Sequence, residues 1–160
     1  MSSSKTYSFK HTNVLVGAFK IGGFGEEGGV TVTRSEGKWV MTPGADGRVS
    51  RSYIASNAGT IAITLMQTSE DNATLSQILS TDTKTLRAQF PVITQDTLGG
   101  SVYSATDCWI QGPPEVTLNK GLEEYTWTID CSDLAMYIAG GQGGFVAGAV
   151  NSINSALGLD

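Results

Sequence analysis

The sequence predicts a mainly β fold, an antiparallel β-sandwich or barrel with one short flanking α-helix. The chain has 160 residues, which suits one domain that buries a real core. Its 20 glycines, together with many Ser and Thr residues, are typical of strands joined by tight turns. Several segments alternate apolar and polar residues at period two, and one short segment has apolar residues at helical spacing.

The first strands are predicted within Tyr7 to Ile21, where aromatic and branched residues alternate in part on either side of Thr12 and Asn13. His11 is the single histidine of the chain, so no cluster of histidine ligands can form around a metal ion. We interpret it as a surface or strand-pairing residue.

A glycine-rich segment follows at residues 22–29 and contains the pattern G-x-G-x-x-G at Gly23, Gly25 and Gly28. In a dinucleotide-binding fold this pattern opens a helix, but here Val30–Arg34 has the composition of a strand. Glu26 and Glu27 would also repel a pyrophosphate. We interpret the segment as a flexible turn and predict no cofactor.

A long hairpin is predicted at about residues 38–54, with arms at Lys38–Thr42 and Arg48–Ile54. Asp46 and Gly47 between the arms form a dipeptide that favours a tight turn. The arms carry large apolar side chains, so the hairpin either projects and docks on another subunit or packs on its own sheet.

The central strand is predicted around Ile61, Ile63 and Leu65, which fall on one buried face. The opposite face is small, uncharged and mostly hydroxylated, and it includes Thr60, Thr64 and Thr68.

One helix is predicted from about Ala73 to Ser80, with Asp71 or Asn72 as its N-cap. A helix this short depends on tertiary packing, so its apolar stripe should lie across the end of a sheet. The stripe consists of Leu75, Ile78 and Leu79.

Two further strands are predicted at Ser101–Gln111 and Glu124–Cys131, with Trp109 and Trp127 on buried faces. Cys108 and Cys131 are the only cysteines. In a reducing compartment they are expected to be buried free thiols, and a disulfide stays open because the sequence does not give their distance.

The composition changes near Ala139, so we predict a β domain at residues 1–138 and a Gly/Ala-rich tail at 139–160. The tail either frays or orders against a neighbour, and its heptad-like apolar residues suit a weak amphipathic helix. They are Val146, Val150, Ile153 and Leu157. The apolar run is too short for a membrane span. Residues 1–5 are polar and no apolar segment follows them, so we expect no signal peptide and expect the chain to stay in the cytoplasm after synthesis.

The net charge is −5 and the ten basic residues are scattered, which argues against specific binding of nucleic acid. No spacing typical of a metal site, a phosphate-binding loop or a catalytic triad occurs. We therefore predict neither an enzyme nor a metal site.

Several short motifs occur in a specific order: T-Y-S-F near the start, K-W-V-M-T-P-G-A-D-G-R-V at Lys38–Val49, S-N-A-G-T-I-A-I-T-L-M-Q-T-S-E-D-N-A-T-L-S at Ser56–Ser76, and D-C-W-I-Q-G-P-P-E-V-T-L at Asp107–Leu118. Over Thr6 to Cys131 this series resembles the tail tube proteins of contractile-tailed phages, which are related to the inner tube of type VI secretion systems.

The resemblance implies a virion protein, assembled in the host cytoplasm, whose hexameric rings join inward strands into a barrel. Stacked rings would form a tube through which DNA passes without specific binding, with tail sheath and baseplate proteins as partners. Thr60, Thr64 and Thr68 would then face the lumen, and the helix would lie on the outside or at the seam between subunits. Contacts between rings are expected at Trp39, Met41, Asp46, Gly47, Arg48 and Arg51.

The rival interpretation is a β-sandwich module that binds a ligand or carbohydrate. An exposed indole of Trp39, Trp109 or Trp127 would stack on a sugar ring in such a module.

Overall fold

The computed structural model describes residues 6–26 and 29–139. They form antiparallel strands, a 3₁₀ turn at Phe9–His11 and one α-helix, which confirms the predicted mainly β class. The helix α1 is Asp71–Thr85. The strands are β1 (Thr12–Val16), β2 (Phe19–Lys20), β3 (Val30–Arg34), β4 (Trp39–Pro43), β5 (Val49–Tyr53), β6 (Gly59–Met66), β7 (Phe90–Asp96), β8 (Val102–Ile110), β9 (Glu124–Cys131) and β10 (Leu134–Tyr137).

Eight strands belong to one sheet in the order β2-β1-β7-β8-β9-β6-β3, with β10 paired to β8. The order does not return to its first strand, so the described residues form no closed barrel. Strands β9 and β10 follow one another along β8 in a single register, with Cys131 opposite Cys108 and Leu134 opposite Ala105. Strands β4 and β5 form a separate two-stranded sheet, the predicted hairpin.

Strand β8 bends where its register with β7 shifts between Phe90 and Val92, and the burial pattern of its β9–β10 partner changes at the same place. Ala105 and Cys108 are both buried although they are three residues apart, and so are Cys131 and Leu134 on the partner. In a regular strand, residues three positions apart point to opposite faces of the sheet. The alternation of side chains is therefore interrupted between these residues in both strands. Ser132 donates its backbone N–H to the Asp107 carbonyl across the bend at 3.1 Å.

The bend accounts for a wrong prediction about Trp109. Its neighbours Cys108 and Ile110 occupy the inward positions of β8, and Trp109 lies half-buried on the opposite face. It is therefore not a core residue, whereas Trp127 on β9 is buried.

The eight-stranded sheet and α1 enclose one hydrophobic core. Its fully buried side chains include Ile61, Ile63 and Leu65 of β6 and Leu75 of α1. Ile78 and Leu79 are partly buried and pack against this core. Strands β1 and β7 to β9 supply most of the remaining members, namely Val14, Val16, Phe90, Val92, Ala105, Cys108, Ile110, Trp127, Ile129 and Cys131.

Helix α1 is longer than the predicted Ala73 to Ser80, because it continues to Thr85 through residues that carry no apolar stripe. The Thr83 and Thr85 hydroxyls donate to the carbonyls of Leu79 and Thr81 at 2.8 and 2.9 Å. The helix ends at Leu86, whose φ of 58° is left-handed.

The predicted cap is also wrong, because Asp71 and Asn72 lie inside the first turn and the N-cap is Glu70, which makes no side-chain cap bond. Both side chains instead bind other segments. Asp71 accepts from the Gly22 N–H at 2.7 Å, and Asn72 donates to the Met66 carbonyl at 2.9 Å.

The described part of the glycine-rich segment is fixed against β6, unlike the flexible turn predicted. Gly25 donates its backbone N–H to the Thr64 carbonyl at 3.3 Å, and Met66 donates to the Gly23 carbonyl at 2.9 Å. His11 is exposed at the end of the 3₁₀ turn.

The predicted helix in the tail and its residues Val146, Val150, Ile153 and Leu157 lie outside the described residues. Among residues 6–26 and 29–139, no helix combines the length and apolarity that a bilayer crossing needs.

Candidate assembly surfaces

The β4–β5 hairpin is the most exposed part of the described chain. Every residue from Trp39 to Tyr53 is exposed, and neither strand pairs with the eight-stranded sheet. A two-stranded hairpin has too little packing to be stable alone in water. Such a hairpin is stabilised by packing against another surface, and its exposed side chains are free to make that contact outside the subunit.

The two faces of the hairpin differ sharply in chemistry. The cross-strand pairs Trp39–Tyr53, Met41–Arg51 and Pro43–Val49 place four large side chains on one face, together with Pro43 and Val49. The opposite face carries Val40 and the hydroxyl residues Thr42, Ser50 and Ser52. We call the first the apolar hairpin face.

Aromatic and cationic groups organise the apolar hairpin face. The rings of Trp39 and Tyr53 have centroids 5.3 Å apart, and the Arg51 guanidinium lies 4.1 Å from the centre of the Trp39 ring. Trp39 remains 52% exposed and Met41 70% exposed. The face is thus ordered by its own contacts while most of its area faces solvent.

The hairpin tip differs in detail from the two-residue turn that Asp46 and Gly47 suggested. Gly47 donates its N–H to the Gly44 carbonyl at 3.1 Å, and Gly44 donates to the Arg48 carbonyl at 2.6 Å. Gly47 has φ +85° and Asp46 does not have a positive φ, so only the glycine takes the left-handed conformation. Arg48 and Asp46 form an exposed ion pair at 3.5 Å.

The base of the hairpin is held by a polar junction around Asn57 that the sequence did not predict. Arg34 donates to the Asn57 Oδ1 atom at 3.1 Å and to the Leu134 carbonyl at 2.8 Å. Lys38 donates to the same Asn57 oxygen and to the Ser56 carbonyl. The two chain segments that enter and leave the hairpin are therefore tied to each other and to β10.

A second surface is formed by the outer faces of β3, β6 and β9, and we call it the threonine face. Thr60 and Thr64 of β6 lie on it, half-buried, and the Thr64 and Thr126 hydroxyls are 3.0 Å apart. Cross-strand pairing adds Thr31, Thr33, Ala62, Met66, Glu124, Thr128 and Asp130. These residues include two carboxylates and no Lys or Arg.

Thr68 is not part of the threonine face. Strand β6 ends at Met66, so the alternation that groups Thr60 with Thr64 does not extend to Thr68, which is exposed in the following turn. The prediction that Thr68 shares their facing is therefore wrong.

A groove of about 520 Å³ runs beside α1. Trp127 lies at its floor, only 3% exposed, and donates its indole N–H to the Asn72 Oδ1 atom at 2.9 Å. An indole held this way cannot stack on a sugar, which weakens the carbohydrate-binding interpretation for Trp127. Among the described residues no group of three His, Cys, Asp or Glu side chains is placed to hold a metal ion.

Known proteins similar to this chain come from phages and contractile injection systems. "Structural protein ORF10" of Pseudomonas phage KPP10 is 26% identical over 140 residues, which cover 86% of this chain and 80% of that protein.

The fold is similar to that of two solved structures at low sequence identity. The anti-feeding prophage cap, a tube terminating cap, has a TM-score of 0.57 at 9% identity and covers 87% of this chain and 95% of its own. The sheath/tube terminator of the extracellular contractile injection system PVC has a TM-score of 0.54 at 10% identity, covering 85% and 99%. The family described as bacteriophage PhiTE tail tube protein matches residues 5–139, and the chain belongs to this family.

Proposed function

We propose that this chain is the subunit of a phage tail tube, in which hexameric rings stack to form the channel for DNA ejection. Its family makes it a structural protein of the virion and not an enzyme. The observation that carries the finer proposal is the apolar hairpin face, which is ordered yet exposed in the single subunit. A face of this kind is explained by burial against a second copy.

The hairpin is proposed to contact the adjacent ring. Burial of apolar area contributes roughly 25 cal/mol per Å², so covering Trp39, Met41 and Tyr53 stabilises a contact substantially. Arg48 is paired with Asp46, so Arg51 carries the uncompensated positive charge of the hairpin in a subunit whose net charge is −5. This arrangement favours docking on an acidic surface of the neighbour. Asp46 and Gly47 belong to the proposed contact as the residues that shape the tip.

The threonine face is proposed to line the channel, with Thr60 and Thr64 at its centre. Hydroxyl and carboxylate groups provide no cationic partner for DNA phosphates, so DNA would pass without being retained. Thr68 is excluded from this proposal.

The remaining surfaces are proposed to serve other neighbours. Helix α1 would lie on the outside of the ring or at the seam between subunits, and tail sheath and baseplate proteins are the proposed partners. A sheath partner is supported by the similar fold of a chain in the PVC sheath-tube complex of an extracellular contractile injection system, at a TM-score of 0.50 and 11% identity. Residues 1–138 would form the tube domain, and residues 139–160 would be a separate Gly/Ala-rich tail.

A matched pair of substitutions on β4 tests the hairpin. Met41→Asp adds a charge to the apolar hairpin face, and Thr42→Asp adds the same charge to the opposite face of the same exposed strand. We expect Met41→Asp to abolish tube formation while leaving the subunit folded, because burying a carboxylate in an apolar contact costs more than its pairing with Arg51, the residue opposite, returns. Thr42→Asp should retain tubes, as seen by electron microscopy of concentrated protein.

Deletion of residues 43–48 gives a second test of the same contact. The shortened hairpin should leave a folded subunit that no longer polymerises. Tubes formed by this deletion, or by Met41→Asp, would contradict the proposed inter-ring role.

The channel is tested separately with Lys at Thr60 and Thr64. These substitutions should preserve tubes and reduce infectivity, because ammonium groups in the lumen bind phosphates and slow DNA passage. The same two-Lys change at Thr83 and Thr85 of α1, which are exposed, provides the control. Infectivity of the Thr60 and Thr64 variant equal to that of the natural chain would contradict a lumenal threonine face.

A further inference from the structure

Cys108 of β8 and Cys131 of β9 lie directly opposite one another, and they are the only cysteines of the chain. Their Sγ atoms are 3.3 Å apart, and the side chains are 0% and 2% exposed. Both are free thiols. Two buried thiols at this separation need only a small movement to bond.

The backbone at this position suits a cross-strand disulfide. Ser132 donates to the Asp107 carbonyl at 3.1 Å, and Gln111 donates to the Thr128 carbonyl at 2.9 Å. In an antiparallel pair, hydrogen-bonded and non-hydrogen-bonded positions alternate, so Cys108 and Cys131 occupy a non-hydrogen-bonded position. Residues at such positions have Cα atoms about 4.5 Å apart, within the range that disulfides span.

The pair also lies where two parts of the sheet meet. In the strand order, β8 and β9 join the part that contains β1, β2 and β7 to the part that contains β3 and β6. Their register runs from Cys108–Cys131 to Ile110–Ile129, immediately beside the shared bend. A covalent bond between Cys108 and Cys131 would therefore link the two parts directly.

The two thiols differ in acidity. The hydrogen bond with Cys131 lowers the pKa of Cys108, whereas the same hydrogen bond and burial raise the pKa of Cys131. Because the thiolate is the nucleophile, Cys108 is the sulfur that reacts first.

We propose that Cys108 and Cys131 form a reversible disulfide that closes when the virion leaves the reducing interior of the host. Disulfides persist on virion surfaces and in extracellular media and are reduced in cytosol. The bond therefore distinguishes a subunit during assembly from the same subunit in the released particle.

With a peroxide as oxidant, the Cys108 thiolate attacks one oxygen of hydrogen peroxide. The O–O bond breaks, water leaves after protonation, and Cys108 becomes a sulfenic acid. The Cys131 sulfur then attacks the Cys108 sulfur, the S–O bond breaks and a second water leaves. Two thiols and one hydrogen peroxide thus give one disulfide and two waters.

The test uses the full chain, purified under reducing conditions and treated with hydrogen peroxide or with dithiothreitol. Each sample is unfolded in denaturant, and its free thiols are alkylated with iodoacetamide. The mass of the intact chain is then measured by mass spectrometry. The dithiothreitol sample should carry two alkyl groups per chain, and the peroxide sample should carry none and have lost two hydrogens. The thermal midpoint should rise on oxidation and return on reduction, because the crosslink restricts the unfolded chain.

Three outcomes would overturn the proposal: alkylation of both cysteines after peroxide, oxygen added at Cys108 or Cys131, or links between chains. Oxygen added at a methionine, which peptide mapping distinguishes, has no bearing on it. Cys131→Ser is the control, in which peroxide should leave the thermal midpoint unchanged. A rise in the control equal to that of the natural chain would show that the crosslink is not its cause. The measurement on the natural chain needs no substitution and no tube, so it is independent of the proposed ring assembly.

Discussion

The β6–β9 pair and the β4–β5 hairpin are both antiparallel and both alternate in side-chain type, yet their surroundings are opposite. Along β6, buried and half-buried residues alternate without exception, and Trp127 of β9 is enclosed by core and helix. Along β4 and β5 every residue is exposed, including Trp39.

The difference separates folding from assembly. The apolar face of β6 is covered within the subunit, so its burial stabilises the monomer. The apolar hairpin face is not covered within the described chain, so its side chains contribute little to folding and are free to contribute to association. Substitutions in the two regions should therefore affect different measurements.

The sharpest comparison is between two tryptophans. Trp127→Ala should lower the free energy of unfolding by about 3–5 kcal/mol, because it opens a cavity and removes the hydrogen bond to Asn72. Trp39→Ala should change it by less than about 1 kcal/mol. Chemical denaturation of the unassembled subunit measures both.

Tube formation should depend on Trp39 more than on Trp127, which is the reverse of their effects on stability. Trp39→Ala should prevent tubes in electron micrographs, and Trp127→Phe, which keeps a ring in the core, should retain them. Equal losses of stability from Trp127→Ala and Trp39→Ala would break the comparison.

Gly59 tests how tightly the start of β6 is packed. A Cβ atom there would lie 2.8 Å from the Thr33 carbonyl oxygen and would also meet Leu134. Gly59→Ala should therefore cost about 2 kcal/mol of unfolding free energy, since backbone cannot move aside cheaply. Gly37→Ala is the control, because nothing lies within 4 Å of its added Cβ. A thermal midpoint for Gly59→Ala as high as that of the control would show that the region is loosely packed.

Asn57 tests the polar junction at the base of the hairpin. Asn57→Ala removes the acceptor shared by Arg34 and Lys38, which should lower stability by about 1 kcal/mol. Cleavage by trypsin at Arg48 or Arg51 should become faster as the hairpin base loosens. Asn57→Asp keeps the acceptor oxygen and should retain the natural rate. If both variants are cleaved alike, the junction does not hold the hairpin.

Substitution of Thr94 should change the free energy of unfolding least, and in the opposite direction to the substitutions above. Its hydroxyl is buried, with no hydrogen-bond partner among the described residues. Thr94→Val should leave stability unchanged or raise it by up to about 1 kcal/mol, because an unsatisfied polar group is removed at constant shape. Thr126→Val should lower it slightly, because the bond to Thr64 is lost. Calorimetry that shows Thr94→Val to be the less stable variant would contradict this expectation.

Alternation within single strands was predictable from sequence because it depends on local chemistry. Ile61, Ile63 and Leu65 required only the two-residue period of a strand, and the hairpin required only its turn residues and arms. The facing of Trp109 was not predictable, because it depends on a bend that β8 shares with a partner more than twenty residues later.

The polar contacts of α1 and of the hairpin base were also not predictable from the sequence. The last turn of α1 is extended by threonine hydroxyls, whose side chains ordinarily favour other structures. The Asn57 junction joins residues from three separate segments, none of which carries a distinctive pattern. Which hairpin face docks also depends on a second copy of the chain, whose position no single sequence contains.

The junction at the hairpin base has a mechanical consequence. The hairpin connects β3 to β6, and Arg34 at the end of β3 is paired with Gly59 at the start of β6. A pull on the hairpin therefore loads both strands from the same end and in the same direction. The load passes to β9, which pairs with β6 from Gly59 to Met66. Since these hydrogen bonds lie perpendicular to the strands, they resist the pull together in shear and do not open one at a time.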